Sequence, residues 1–213
     1  MQHLLATLLL VLAGAASAQE FALPLAGRWF VMQGGDTPNV NQHMSVPAQW
    51  YGVDLAKVGG PSGRELTRGA GTALADFFSW GEPVLAPCDG ELVAAVDGLP
   101  DNALGTKDLQ HPAGNHVVIK TAQGRYVFLG HLQQGTVDVA AGGQVGRGER
   151  LGLCGNSGNS DFPHIHLHVQ DRPELNAGRG QNPIFAHIDV ELTGKQFADV
   201  SWPLIRGLFV ANH

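Results

Sequence analysis

Charge is scarce in this chain. Of its 213 residues, 15% are Asp, Glu, Lys or Arg, where an average domain carries about 25%. Basic residues are the scarcer kind: 13 Lys and Arg against 19 Asp and Glu give a formal charge of −6. The continuous basic surface that grips nucleic-acid phosphates is therefore missing, and no nucleic-acid partner is expected. Long uninterrupted helices are excluded as well, because 29 Gly and 12 Pro punctuate the sequence at short intervals. What is plentiful is apolar side chain, 44% of the residues, enough to rule out a disordered chain and to build the core of one domain. The composition points to a turn-rich, mostly β domain. Against so little charge, ten histidines stand out.

Long apolar runs are absent except near the start. Residues 4–13 (LLATLLLVLA) precede Ala16-Ser17-Ala18, the hydrophobic region and small-residue cut site of a secretory signal peptide. The run is shorter than the ~20 residues a membrane helix needs. Cleavage is expected after Ala18, with no membrane span downstream and no cysteine nearby for lipid attachment. That leaves a single domain over residues 19–213, exported to the periplasm or beyond the cell. In such a compartment Cys88 and Cys154 admit two readings, a disulfide or two buried apolar thiols.

Short β-branched and aliphatic runs bounded by Gly, Pro and Asp recur through the middle of the chain. Residues 83–87 and 91–96 flank Asp89-Gly90 and read as a hairpin. Residues 116–120 and 125–129, joined through Gln123-Gly124, read as a second. Further strands are expected at 136–139, 151–154, 165–170 and 189–192. Residues 142–148 are glycine-rich but lack the G-x-G-x-x-G spacing of a phosphate cradle, and read as tight turns. A short helix is conceivable only over 65–78, where Gly69 and Gly71 interrupt it.

The chemistry concentrates in Pro163-His164-Ile165-His166-Leu167-His168-Val169. Strand side chains alternate faces, so Ile165, Leu167 and Val169 enter the core while His164, His166 and His168 share the other face. Same-face neighbours stand about 6.5–7 Å apart, so one imidazole can bind a metal while the next stands beside a water. His131 ends another expected strand, and Asp54 lies between apolar neighbours in Tyr51-Gly52-Val53-Asp54-Leu55, with His43 upstream. Catalytic zinc takes three His or carboxylate ligands and keeps one position open. Spacing alone does not choose among these candidates.

Four segments occur in order: Gly52-x-Asp54; Pro83-Val84-Leu85-Ala86-Pro87-x-Asp89-Gly90; Gly130-His131-Leu132; and Gly155-Asn156-Ser157-Gly158 leading into Pro163-His164-Ile165-His166. Together they resemble the lysostaphin-type zinc metallopeptidases, peptidase family M23, which cut peptidoglycan cross-links. The resemblance covers about residues 33–170 and is weaker in the tail, a C-terminal β extension. It implies a single antiparallel β-sheet domain of the lysostaphin-type, duplicated-hybrid-motif kind, with a groove over the metal. It also implies Zn2+ held by Asp54 and His166, with His131 and His164 as the non-ligand catalytic pair. One of the pair acts as general base on the water and the other steadies the oxyanion, so imidazole does the work of the glutamate in H-E-x-x-H enzymes. The family usually has its first ligand four residues before the aspartate. Here that position is Trp50, and the ligand is assigned to His43, as in a family branch with longer His–Asp spacing. His168 stands where the family often has an acid and is left out of the ligand set. His111, His116 and His187 are read as loop or surface residues.

The expected function is thus a zinc metalloendopeptidase acting on peptidoglycan peptides. The alternative is an inactive relative that binds the wall or activates other wall hydrolases; such relatives lose ligand residues, and Asp54, His131, His164 and His166 are all present. A serine hydrolase built on Ser157 fails the G-x-S-x-G pattern at Asn159.

Overall fold

Thirteen short strands account for most of the regular structure in the computed structural model, which describes residues 20–213. The expected signal peptide lies outside the described residues. In chain order the strands are β1 (Glu20–Phe21), β2 (Trp29–Gln33), β3 (Val53–Lys57), β4 (Pro83–Leu85), β5 (Gly90–Val96), β6 (Asn115–Lys120) and β7 (Tyr126–Leu132). Then come β8 (Gln144–Val145), β9 (Arg150–Leu153), β10 (Ile165–Gln170), β11 (Ile184–Leu192), β12 (Lys195–Trp202) and β13 (Phe209–Asn212). Among the described residues no helix is long and apolar enough to cross a membrane.

Eleven strands form one sheet in the order β1-β11-β13-β2-β3-β10-β7-β6-β5-β8, with β12 also paired to β11. The pairs are antiparallel except β1 with β11. β4 and β9 make a separate two-stranded ribbon. The C-terminal strands return to the start of the chain: β13 pairs with β2, and β11 with β1. The fold is mostly β and built on a single main sheet, as the composition and strand spacing predict.

β10 occupies the middle of the sheet between β3 and β7 and is buried on both faces. Its odd residues Ile165, Leu167 and Val169 join Val53, Leu55, Val127 and Leu129 in the hydrophobic core. Each fully buried side chain of this kind contributes roughly 1.5–3 kcal/mol. Its even residues, His166, His168 and Gln170, face the other way. The alternation read from the sequence is therefore the division between core and site.

Three local expectations are corrected. Residues 83–87 and 91–96 do not form a hairpin: β4 pairs with β9, and β5 pairs with β6 and β8. A two-residue type I′ turn needs positive φ at both central residues, and neither Asp89 nor Gly90 has it. Gly90 is there for close approach, since a Cβ would come 2.5 Å from the Lys120 carbonyl. Residues 65–78 hold one 3-10 turn (Leu74–Asp76) instead of a helix, Gly69 and Gly71 both lying at positive φ. Residues 136–139 run as an irregular strap whose N–H groups turn partly to side chains, Val137 N–H donating to Asp97. The hairpin of β6 and β7 forms as expected.

Candidate metal centre and active site

Register across three strands builds the site. His166 on β10 stands opposite Asp54 on β3 and Gly130 on β7. Cross-strand neighbours share a face about 4.5–5.5 Å apart, and His166 Nδ1 reaches 2.9 Å from Asp54 Oδ1. His43 arrives from outside the sheet, on a 3-10 turn (Gln42–Ser45), and places Nε2 3.4 Å from Asp54 Oδ2. One nitrogen of each imidazole and an Asp54 oxygen all lie within 4.8 Å of one another.

His131 reaches this face only through a backbone distortion. Strict alternation along β7 would send it with Val127 and Leu129 into the core. Instead β7 bulges: Gly130 and His131 together face the single residue His116 of β6, so that His131, at φ 65°, faces the groove while Leu132 takes the core position. A non-glycine residue in this region costs about 1–3 kcal/mol and persists only where its surroundings enforce it. His164 immediately precedes β10, its Nε2 3.7 Å from Asp54 Oδ1. The His131 and His164 rings are 4.9 Å apart.

Hydrogen bonds fix which nitrogen of each ring is available. His131 Nδ1 is 2.9 Å from the Ser157 carbonyl, and His164 Nδ1 is 2.8 Å from the Phe162 carbonyl. Carbonyls only accept, so each Nδ1 carries the proton and each Nε2 is left as a lone pair. Asn41 does the same for His43. Its Nδ2 lies 2.8, 3.2 and 3.1 Å from the carbonyls of Gly35, Trp50 and Gly52, which orients the amide with Oδ1 toward His43 Nδ1 at 2.9 Å. His43 Nε2 is then a lone pair aimed at a carboxylate. Lone pairs and a carboxylate converging on one point are the donor set of a divalent cation such as zinc, and His43, Asp54 and His166 fit it.

Burial sets the electrostatics. It works to raise the Asp54 carboxyl, but without a metal the positive charge of His43 and His164 when they take up a proton, and the hydrogen bonds His166 and His43 then donate, outweigh it and hold Asp54 well below the usual carboxylate range. Burial, reinforced by the charges of His164 and His166, pushes His131 well below its ordinary value, so it stays neutral and accepting at neutral pH. Burial lowers His166 too. At His43 burial is opposed by the charge and hydrogen bond of Asp54, which raise it on balance.

A groove of about 600 Å³ opens over these residues. Val46, Gln49, Pro112 and Phe162 are among its lining residues, together with the solvent-exposed Lys107–Asp161 ion pair (2.9 Å). The five residues singled out from the sequence, His43, Asp54, His131, His164 and His166, thus meet at one groove. His111 and His187 are exposed, each bound to an aspartate. His116 departs from its surface reading: it lies on β6, half-buried, and lines the groove. Cys88 and Cys154 are separate buried thiols, not a disulfide. Ser157 is fully buried and already engaged, accepting from Asn115 N–H and donating to the Leu132 carbonyl, so it supports the site and offers no nucleophile. Asn41 and Gln170 are the supporting residues that the sequence reading passed over. Asn41 could have been found as an N-cap type residue before a turn, and Gln170 as the next step of the His164, His166, His168 alternation.

Comparison with known proteins bears on the family. Residues 71–183, more than half of the chain, match the family Peptidase family M23; His131, His164 and His166 fall inside that span, and His43 and Asp54 precede it. An "Uncharacterized metalloprotease" of Haemophilus influenzae is 31% identical over 134 residues, 62% of this chain and 24% of that one. The "Peptidoglycan DD-endopeptidase ShyA" of Vibrio cholerae is 38% identical over 111 residues, 49% of this chain and 25% of that one. The aligned parts are thus about a quarter of the length of these relatives. Among solved structures, the catalytic domain of lysostaphin from Staphylococcus simulans is 19% identical, covering 73% of this chain and 87% of that one with a TM-score of 0.43. With more than half its length matched, the chain belongs to peptidase family M23.

Proposed function

We propose that this chain is a zinc-dependent endopeptidase that hydrolyses peptide bonds in peptidoglycan cross-links, exported behind the signal peptide at residues 1–18 to the periplasm or the cell exterior. The observation that carries the reading is the pairing of two arrangements at one groove: a His43–Asp54–His166 donor set, and beside it two imidazoles whose Nδ1 protons are committed to carbonyls. Family membership and the likeness to a peptidoglycan endopeptidase support the substrate class.

His43, Asp54 and His166 would hold the ion. Bound there, zinc supplies a Lewis acid that polarises a carbonyl and brings the pKa of water toward neutrality. His131 and His164 handle protons. One Nε2 would accept the proton of the attacking water and pass it to the leaving amine; the other imidazole would steady the oxygen where charge develops. Anchoring both rings to the backbone spares the reorganisation that a free imidazole would need at the moment of reaction.

Zinc content of the purified protein, measured together with turbidity loss of purified peptidoglycan, tests the reading. Stoichiometric zinc, lysis abolished by a chelator, no zinc in His166→Ala, and zinc retained but turnover lost in His131→Ala are the expected results. Lysis that persists in His166→Ala overturns it, and zinc binding without hydrolysis assigns the chain to the inactive, wall-binding relatives.

A further inference from the structure

Behind the donor set runs a buried row of four polar side chains: Asp54, His166, His168 and Gln170. Asp54 Oδ1 is 2.9 Å from His166 Nδ1, His166 Nε2 is 2.9 Å from His168 Nδ1, and His168 Nε2 is 3.1 Å from Gln170 Oε1. The far end of the row is pinned. Gln170 Nε2 lies 2.7 Å from the Arg172 carbonyl and 2.6 Å from the Glu174 carbonyl. Both partners only accept, so the amide cannot turn over, and its oxygen must face His168.

The row can be counted. It has an acceptor at each end, the Gln170 oxygen and the Asp54 carboxylate, and two imidazoles between them. That makes three contacts, while two neutral imidazoles supply two N–H groups. One positive centre is missing, and a metal ion between Asp54 and His166 completes the row, because His43 Nε2 converges on that same point. The two N–H groups must then both point away from Asp54.

We propose that His168 and Gln170 are positioning residues for the metal centre: Gln170 holds the His168 proton on Nε2, His168 Nδ1 accepts from His166 Nε2–H, and His166 Nδ1 is left bare toward Asp54. This rests on the reading of His43, Asp54 and His166 as metal ligands. Without the His168 acceptor, the His166 proton has a competing place, on Nδ1 facing Asp54 Oδ1, where it occupies the atom a metal needs. His168 is closed off from solvent, its ring buried and stacked on Phe128 with centroids 4.6 Å apart and planes at 10°. Partners of this kind are worth about 10–100-fold in metal affinity.

The test measures zinc affinity by competition with a chromophoric chelator, and reads the His168 tautomer from nitrogen chemical shifts in the same protein. His168→Leu and Gln170→Leu are each expected to weaken zinc roughly 10–100-fold. The double variant H168E/Q170L should recover wild-type affinity to within a few-fold, because a carboxylate accepts from His166 Nε2–H without any help from position 170. A purely structural role for the row predicts no such recovery. His168 should carry its proton on Nε2; a proton on Nδ1, affinity unchanged in Gln170→Leu, or no recovery in a folded double variant overturns the proposal. If the wild-type protein takes up no zinc, the ligand reading fails, and the His168 tautomer still decides whether the row is ordered as described.

Discussion

Gly52 separates the two ligand imidazoles, and replacing it should damage the metal centre while leaving the fold intact. A Cβ built at this position would stand 3.1 Å from His166 Cε1, 3.2 Å from His43 Cγ and 3.1 Å from the Gln49 carbonyl. None of the three neighbours yields freely. Gln49 O is backbone, His43 is tied to Asn41, and His166 is tied to His168. The displacement of a few tenths of an ångström must therefore be taken up by the ligand rings. Overpacking of this kind costs about 1–3 kcal/mol, which at 1.4 kcal/mol per tenfold is roughly 5–150-fold in affinity. Gly52 does not lie at positive φ, so alanine brings no backbone strain and gains ~0.4–1 kcal/mol by restricting the unfolded chain. Gly52→Ala should then show a urea midpoint near wild type without metal and a zinc affinity lowered by one to two orders of magnitude. Chelator competition and urea titration on the same preparation check both halves. Affinity within twofold of wild type would refute the claim that the rings are held rigidly enough to feel one methyl group.

Three further outcomes follow from the same geometry. Asn41→Ala strands the buried carbonyl of Gly52 and part-buried ones at Gly35 and Trp50, and frees the His43 ring; a loss of about 1–3 kcal/mol in denaturant stability with weaker zinc binding is expected, and a stability within 0.5 kcal/mol of wild type contradicts it. Ser157→Ala should lower stability by about 1–3 kcal/mol through the orphaned Asn115 N–H yet keep turnover within a few-fold below its melting temperature; a loss of a thousandfold or more in the folded variant would make Ser157 a nucleophile. Acid should weaken the metal-free protein. Burial lowers His131, His166 and His168 below 6.5, so the unfolded chain binds protons the native one refuses, and their contribution, complete above that value, is lost as pH falls below it. His43 is raised and runs the other way, contributing below 6.5 and losing its contribution as pH rises through its folded value. Asp54, held low, loses its contribution only further into acid. Burial also lowers His116, and Asp189 raises His213 at the surface; with four groups against two, the urea midpoint should drop between pH 7 and pH 5, and a flat or rising midpoint runs against the assignment.

How far the sequence reaches can be judged from individual residues. The alternation at His164, His166 and His168 is periodic, and a period survives folding whenever one face of a strand is buried; hence the core face and the site face were both legible. Asp54 and His131 were legible only by resemblance, since nothing local in Gly52-Val53-Asp54 says that β3 will lie against β10, 112 residues away. The reorientation of His131 was hidden because it depends on a bulge in β7 that shows only in its register against β6. The hairpin expected around Asp89-Gly90 failed for a related reason: glycine signals a turn, but here it serves close passage of β6. Asn41 and Gln170 were overlooked because their value lies in which main-chain carbonyls fold brings to them, a property no single stretch of sequence carries.

The central place of β10 also sets a timetable. Asp54 and His43 leave the ribosome long before His166, and β3 and β7 gain their common neighbour only when β10 inserts between them. Long-range strand pairing of this sort is slow, since the intervening chain must be ordered before any contact rewards it. The His43–Asp54–His166 arrangement therefore forms no earlier than the insertion of β10. A chain in which β10 has not yet inserted carries these imidazoles dispersed, and the donor set cannot arise in it ahead of that pairing.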